Sequence, residues 1–182
     1  MRYWTLFTAT TLLASSMASH AEEGGRLSGS AGKHPSLLIP PAIQAEHKEL
    51  HEKLRELTCM RGRTGNAAIE VEKLLEPHFV KEEQLALPPL GLLADLSSGQ
   101  MPPDSAAIIR MTDHLKREMP QMLAEHKKVV AALQQLQEAA NAEDNPQGVQ
   151  FAKALAAHAA LEEQVLYPSA LLVGRYLNEK SK

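Results

Sequence analysis

Residues 78–88 have the sequence HFVKEEQLALP, and residues 158–168 have the sequence HAALEEQVLYP. Five of these eleven positions are identical, at an offset of 80 residues. A shorter match, AEHK, occurs at residues 45–48 and again at residues 124–127, an offset of 79. Two matches at nearly the same offset indicate that the chain contains two copies of one unit.

Apolar residues recur at steps of three and four in and around these segments, which predicts four amphipathic helices. The four stripes are Ile43, His47, Leu50, Leu54 and Leu57; Val71, Leu74, His78, Glu82 and Leu85; Ile108, Met111, Leu115, Met122, His126, Val129, Leu133 and Leu136; and Phe151, Leu155, His158, Glu162 and Val165. Short breaks rich in Gly, Asn and Pro separate the stripes. The sequence therefore predicts an all-α fold, an antiparallel up-down four-helix bundle made of two repeated helical hairpins.

Prolines and small polar residues predict where the helices begin, bend and end. Asp104 is expected to cap the third helix, and Thr64 or Asn66 to cap the second. Pro146 suits the first turn of the fourth helix, whereas Pro120 predicts a kink within the third. A short helix is expected at residues 90–96, and residues 169–178 are expected to continue helically after the fourth stripe.

The composition excludes several classes of protein. Of the 182 residues, 44% are hydrophobic, 23% are charged and only 4% are aromatic, which favours a helical globular protein over a β-barrel. The net charge of −3 gives no indication of a nucleic-acid partner. Cys59 is the single cysteine, which excludes an internal disulfide, a CxxC zinc site and a covalently attached haem.

The start of the chain resembles a secretory signal peptide. Arg2 precedes an uncharged, largely apolar run at residues 3–18, and Ser19-His20-Ala21 offers a small-x-small cleavage site. We expect residues 1–21 to be the signal peptide, cut after Ala21, and the mature protein to be periplasmic or secreted without a membrane span. A buried first helix or an uncleaved anchor is the alternative. Residues 22–37 are predicted to be a flexible lead-in and residues 38–178 the helical domain.

Six polar residues occupy positions in the stripes that should face the bundle interior. They are His47, His78, Glu82, His126, His158 and Glu162. Burying ionisable groups without partners is costly, so this set needs a common partner or mutual hydrogen bonds. Four imidazoles and two carboxylates exceed the four ligands of a structural zinc and suit two metal ions, each with two imidazoles, bridged by the carboxylates. Iron is favoured, and manganese or zinc remains open. The alternative is a set of buried His–Glu pairs without metal.

At residues 38–175 the chain resembles hemerythrin-like proteins of the HHE cation-binding family. The resemblance lies in one His in the first helix, His-x3-Glu in the second, one His in the third and His-x3-Glu in the fourth. It implies an antiparallel four-helix bundle with two non-haem iron ions, held by the six residues above, that binds dioxygen or reacts with peroxide or nitric oxide.

Two departures from the oxygen-carrying hemerythrins affect this expectation. Those proteins have another histidine four residues along the third helix, where this chain has Met122 and Val130 on either side of His126. They also place the last carboxylate five residues after its histidine. Here Glu162 and Glu163 are both available, and Glu162 is preferred because it matches Glu82 in the other copy.

Three further residues remain open as contributors. His51, four residues after His47, is either a fifth histidine ligand or a histidine at the edge of the core. Glu83 and Glu163 are expected to lie outside the ligand set, as supporting or surface groups. The functional alternatives are iron storage, handling or sensing without turnover, and electron transfer through a His/Met-ligated haem. The haem would leave two buried glutamates without a role. The sequence does not decide whether the protein is an enzyme.

Overall fold

A computed structural model describes residues 39–182, and every regular element in that range is helical. The four longer helices of the bundle are α1 (Pro41–Thr58), α2 (Arg63–Lys81), α4 (Ser105–Ala142) and α5 (Pro146–Leu161). Shorter helices are α3 (Leu93–Ser97) and α6 (Tyr167–Lys180), with a 3₁₀ helix at Pro88–Leu92. The all-α prediction is therefore confirmed. The predicted signal peptide and lead-in lie outside the described residues.

The helices pack around two larger apolar clusters and a smaller one that contains Ile108, Val173 and Leu177. The first cluster contains Leu50, Leu54, Leu57, Ala68, Val71, Leu75, Phe79, Val129, Leu133, Leu136, Phe151, Ala152 and Leu155. The second cluster contains Ala86, Leu87, Leu90, Leu115, Met122, Tyr167 and Ala170. Burial of each large apolar side chain stabilises the fold by about 1.5–3 kcal/mol, so these clusters hold the helices together. None of the helices in residues 39–182 combines the length and apolar content needed to span a bilayer.

Two of the three predicted helix starts are confirmed. The Asp104 side chain accepts a hydrogen bond from the backbone N–H of Ala107 at 2.9 Å and caps α4. At the start of α5, Pro146 occupies the first turn and the Asn145 side chain accepts from the N–H of Gly148 at 3.0 Å. Both caps satisfy amide groups that have no partner inside the helix.

The cap expected at Thr64 or Asn66 was wrong. Helix α2 begins earlier, at Arg63 after Gly62, whose φ of 97° lies in the left-handed region that favours glycine. The cap comes instead from Glu143, just beyond the end of α4. Its carboxylate accepts hydrogen bonds from the backbone N–H of Arg63 at 2.7 Å and of Thr64 at 2.9 Å, and from the Thr64 hydroxyl at 2.6 Å.

Both His-x3-Glu segments continue into a π-helical turn, at Glu82–Ala86 and at Glu162–Leu166. Each turn closes with a bond five residues back, from the N–H of Leu87 to the Glu82 carbonyl and from the N–H of Tyr167 to the Glu162 carbonyl. The wider turn shifts the register of the buried face. Val165, predicted to face the core, is therefore 47% exposed, and Tyr167 is buried in its place.

Candidate metal centre

All six polar residues predicted from the stripes lie inside the protein, each with at most 3% of its surface exposed: His47, His78, Glu82, His126, His158 and Glu162. They form a layer between the two apolar clusters. Along α4, for example, Met122 belongs to the second cluster and Val129 to the first, with His126 between them. A polar layer enclosed on both sides by apolar side chains is shielded from water, which strengthens every charge interaction within it.

The six residues divide into two sets of three whose donor atoms lie within 4.8 Å of one another. The His47 group consists of His47, His158 and Glu162, and the His78 group consists of His78, Glu82 and His126. Each group therefore takes one histidine from each predicted hairpin. Both have the donor set that could hold a metal ion, two imidazole nitrogens and a carboxylate.

Distances within the His47 group are short. Nε2 of His158 lies 3.2 Å from Nε2 of His47, and Oε1 of Glu162 lies 3.1 Å and 3.5 Å from these two nitrogens. In the His78 group, Oε1 of Glu82 lies 3.1 Å from Nε2 of His78 and 3.7 Å from Nε2 of His126.

Two carboxylate oxygens at the centre lack hydrogen bonds. Oε2 of Glu82 and Oε1 of Glu162 are buried, and neither has a hydrogen-bond partner within residues 39–182. A buried carboxylate oxygen without a donor is costly, commonly by about 1–3 kcal/mol or more. A cation between the donor atoms would remove this cost, so the donor chemistry fits a metal in each group.

Each buried histidine also faces a carboxylate on its other ring nitrogen. The Nδ1 atoms lie 3.8 Å from Glu83 for His47, 2.8 Å from Glu125 for His78, 3.0 Å from Glu163 for His126 and 3.1 Å from Glu46 for His158. Nδ1 of His47 and Nδ1 of His158 have no hydrogen-bond partner among the described residues. Glu125 and Glu163 do hydrogen-bond Nδ1 of His78 and of His126, and so direct the Nε2 atoms of these two rings toward the centre. Histidines that bind metals are held in this way, with the second nitrogen fixed by a carboxylate or carbonyl.

Charge interactions shift the acid–base behaviour of the layer. Burial lowers the pKa of His126, but contacts with the carboxylates of Glu162, Glu82 and Glu163 outweigh burial and raise the pKa to about 10. The pKa of His78 and that of His158 are raised for the same reason, against burial. The metal-free site therefore balances its carboxylates with protonated imidazoles.

The outer carboxylate of Glu125 carries a matching shift. Burial raises its pKa, but hydrogen bonds from His78, Lys81 and Gln121 outweigh burial and lower the pKa to about 2. Glu125 is therefore ionised throughout the physiological range. It can accept the Nδ1–H of His78 whether or not that imidazole carries a second proton.

One residue of the site was missed by the sequence analysis. The Tyr167 hydroxyl donates a hydrogen bond to Oε1 of Glu82 and lies 3.4 Å from Nε2 of His78 and 3.2 Å from Nε2 of His126. Burial, and then the charges of Glu82 and Glu162, raise the pKa of Tyr167 above its ordinary value. The available signal was the repeat itself, in which Tyr167 replaces Leu87 before a shared proline.

The remaining candidates lie outside both groups. His51 packs edge-on against Phe79, with ring centroids 4.9 Å apart, and belongs to neither donor set. Glu83 and Glu163 also belong to neither set, and their side chains are 47% and 40% exposed.

The chain was also compared with known proteins. No protein-family model, no curated protein and no solved structure matches it.

Proposed function

We propose that the chain is an exported hemerythrin-like protein that holds two non-haem iron ions and binds or reacts with a small oxidant, namely dioxygen, peroxide or nitric oxide. The observation that carries this proposal is the pair of buried three-donor groups built from two copies of one repeat. Each group also holds one buried carboxylate oxygen that has no hydrogen-bond partner among the described residues.

The two glutamates are the bridging ligands in this proposal. The two oxygens of Glu162 face different groups, since Oε1 lies 3.1 Å from His158 and Oε2 lies 3.4 Å from His126. Glu82 uses Oε1 within the His78 group and leaves Oε2 without a hydrogen-bond donor in the described chain. Glu162 thus has one oxygen against each group, and Oε2 of Glu82 is left available for a second cation.

The proposed bundle is antiparallel, with both hairpin turns at one end. The turn after α4 contacts the turn after α1, because Glu143 binds the start of α2 and the Asn145 amide lies 3.1 Å from Sδ of Met60. Such an arrangement brings the histidines of the two hairpins to one level.

The protein's own side chains would control access and polarity. Phe79 stacks on the His47 ring at a centroid distance of 4.3 Å and covers that side of the His47 group. Phe79 also lines a surface cavity with His51, Val80 and Glu83, and Glu83 lies 3.8 Å from Nδ1 of His47. Two bound irons would supply electrons and open coordination positions, while the apolar walls keep bulk water away.

The proposal is tested by anaerobic titration of the metal-free mature protein with ferrous iron. We expect uptake to saturate at two irons per chain, with spectral changes on adding air, hydrogen peroxide or nitric oxide. A His126→Ala variant should take up less iron and show smaller changes. Saturation at two irons with no response to any oxidant would favour iron storage or handling. A sharp, intense haem band in the purified protein would contradict the proposal.

Export is tested separately, because residues 1–21 lie outside the described residues. We expect the intact mass of the exported protein to correspond to a chain starting at Glu22. Full-length protein confined to the cytosol would contradict export and leave the iron centre untouched.

A further inference from the structure

The two donor groups are unequal, although the repeat builds both. The position that follows the π-helical turn is Leu87 in one copy and Tyr167 in the other. The Tyr167 hydroxyl contacts all three donor atoms of the His78 group. Among the described residues, the His47 group has no phenol within its donor set.

The spacing of the phenol oxygen from the two imidazole nitrogens matches that of a fourth donor atom, whereas its contact with Oε1 of Glu82 is a hydrogen bond. Donor atoms about 2.1 Å from one metal ion are separated by about 3.0–3.4 Å at right-angled to tetrahedral geometry. Within the His78 group, Nε2 of His78 and Oε1 of Glu82 are separated by 3.1 Å. The Tyr167 oxygen lies 3.4 Å from Nε2 of His78 and 3.2 Å from Nε2 of His126, which is the same spacing.

The backbone holds this oxygen in place. In an uninterrupted α-helix, a residue five positions after Glu162 would point about 140° away from it. The π-helical turn Glu162–Leu166 removes most of this angle, so that Tyr167 is 1% exposed and packs against the His126 ring at a centroid distance of 5.6 Å. Turns of this kind occur often at functional sites, because they redirect a side chain without ending the helix.

We infer that Tyr167 is a metal ligand: its phenolate oxygen occupies one position on the ion held by the His78 group. This inference rests on the proposed iron centre. As the metal binds, the phenol O–H bond breaks, the proton leaves to solvent, and the oxygen electron pair binds the cation in the proton's place. The His47 group gains no such ligand. Its ion therefore keeps the more open coordination sphere and is the one that receives the small oxidant.

The test uses ferric-loaded mature protein, because a phenolate bound to ferric iron gives a broad visible charge-transfer band. We expect this band in the wild type, together with tyrosine ring vibrations in a resonance Raman spectrum excited within it. Tyr167→Phe should lose both signals. Zinc-loaded wild type should be colourless, because zinc has no accessible redox state.

Tyr176→Phe is the matched control. Tyr176 lies on α6 beside Lys180, with the ammonium 5.7 Å from its ring centroid, and is not part of either donor group. After removal of residues 1–21 this variant contains Tyr167 as its sole tyrosine. Its band and ring vibrations should match those of the wild type, and ring-deuterated tyrosine should shift the vibrations. This measurement decides the assignment even if Tyr167→Phe fails to fold.

The outcomes separate this inference from the proposed function. Wild type with two irons and no phenolate signal, or a signal retained in Tyr167→Phe, would overturn the ligand role and leave the iron centre standing. One iron per chain with a phenolate signal would support the ligand role and contradict the paired site. A protein that binds no iron would overturn both.

Discussion

At the residue scale, each buried histidine uses its two ring nitrogens for different purposes. Nε2 faces the centre, and Nδ1 faces one of the outer carboxylates. The duplication explains how these carboxylates are placed. Glu46 and Glu125 each precede a buried histidine in sequence, yet each contacts a histidine on another helix, His158 and His78. The outer carboxylates therefore link helices as well as orienting rings.

The burial of the six donors could be predicted, because each lies on a helical stripe whose period is visible in the sequence. The outer contacts could not be predicted. Glu46 and Glu125 lie off the stripes, and a glutamate in that position is usually a solvated surface residue. Only the packing of neighbouring helices brings the carboxylate of Glu125 to 2.8 Å from Nδ1 of His78.

The bridging role proposed for the central glutamates predicts a sharp contrast with their sequence neighbours. Glu82→Gln and Glu162→Gln each remove an anionic ligand, so we expect metal content to fall below two per chain. Glu83→Gln and Glu163→Gln should retain two metals at saturation. Glu163→Gln should weaken affinity by about 10–100-fold, because it removes the partner of His126. Metal analysis and calorimetric titration measure both effects.

The same variants test which glutamate is the ligand. Loss of metal in Glu163→Gln, with retention in Glu162→Gln, would place the ligand five residues after His158 and show that our assignment is wrong. Retention of two metals in all four variants would contradict bridging by carboxylates altogether. Without metal, Glu82→Gln and Glu162→Gln are expected to be less stable than the wild type, because each removes the carboxylate that compensates buried protonated histidines.

The His51 alternative gives a second prediction. Because His51 packs edge-on against Phe79 and belongs to neither donor group, His51→Ala should still bind two metals per chain. His47→Ala should lose at least one, because it removes a donor from the His47 group. Metal analysis of both variants is sufficient. Equal losses would mean that His51 is a ligand and would favour a five-histidine oxygen carrier.

At the element scale, the two π-helical turns set the limit of what periodicity could predict. The stripes predicted α2 and α5 correctly as far as Glu82 and Glu162. Beyond these residues a period of 3.6 indicated Leu85 and Val165 as core residues. Leu85 is partly buried against the second cluster, but Val165 is exposed, and the five-residue turns bury Leu87 and Tyr167. One residue separates each turn from a proline, Pro88 or Pro168, which has no N–H to continue the ordinary ladder. Prolines at matching positions in both repeats were therefore the only local sequence feature that indicated a departure from the α-helical period.

The cap provided by Glu143 predicts a pH dependence at this scale. Hydrogen bonds from Thr64 and from the Arg63 backbone lower the pKa of Glu143 to about 2 from 4.5. Because the pKa is lower in the folded state, the carboxylate stabilises the protein fully above about pH 4.5, and this contribution disappears as the pH falls toward 2. We expect Glu143→Gln to melt below the wild type at pH 7, with the difference shrinking between pH 4.5 and 2.

The control for the cap is Glu138→Gln, an exposed change on the same helix. It should alter the melting temperature little at either pH. A Glu143→Gln deficit that stays constant down to pH 2 would show that the carboxylate charge contributes nothing to capping α2.

At the scale of the whole molecule, the polar layer links folding to the proposed metal binding. The metal-free protein keeps four imidazoles, two carboxylates and a phenol between two apolar clusters. It tolerates this layer by holding protons on the histidines, as the raised pKa values of His78, His126 and His158 indicate. A metal ion needs unprotonated nitrogens, so protons and metal compete for one set of atoms.

This competition predicts that the stability of the metal-free protein and that of the metal-loaded protein diverge as the pH rises. A histidine whose pKa is raised on folding stabilises the protein fully below its unfolded value of 6.5, and that stabilisation is lost as pH rises toward the folded value, about 10 for His126. The metal-free protein should therefore become less stable from pH 6 to pH 9. Metal binding strengthens over the same range, and binding to the native state alone adds stability.

Scanning calorimetry of the zinc-loaded and metal-free mature protein at pH 6, 7, 8 and 9 should show a gap in melting temperature that widens with pH. Zinc keeps redox chemistry out of the comparison, and His126→Ala should show a smaller gap with a weaker pH trend. A gap that stays constant or narrows would mean that the buried imidazoles are not where protons and metal compete.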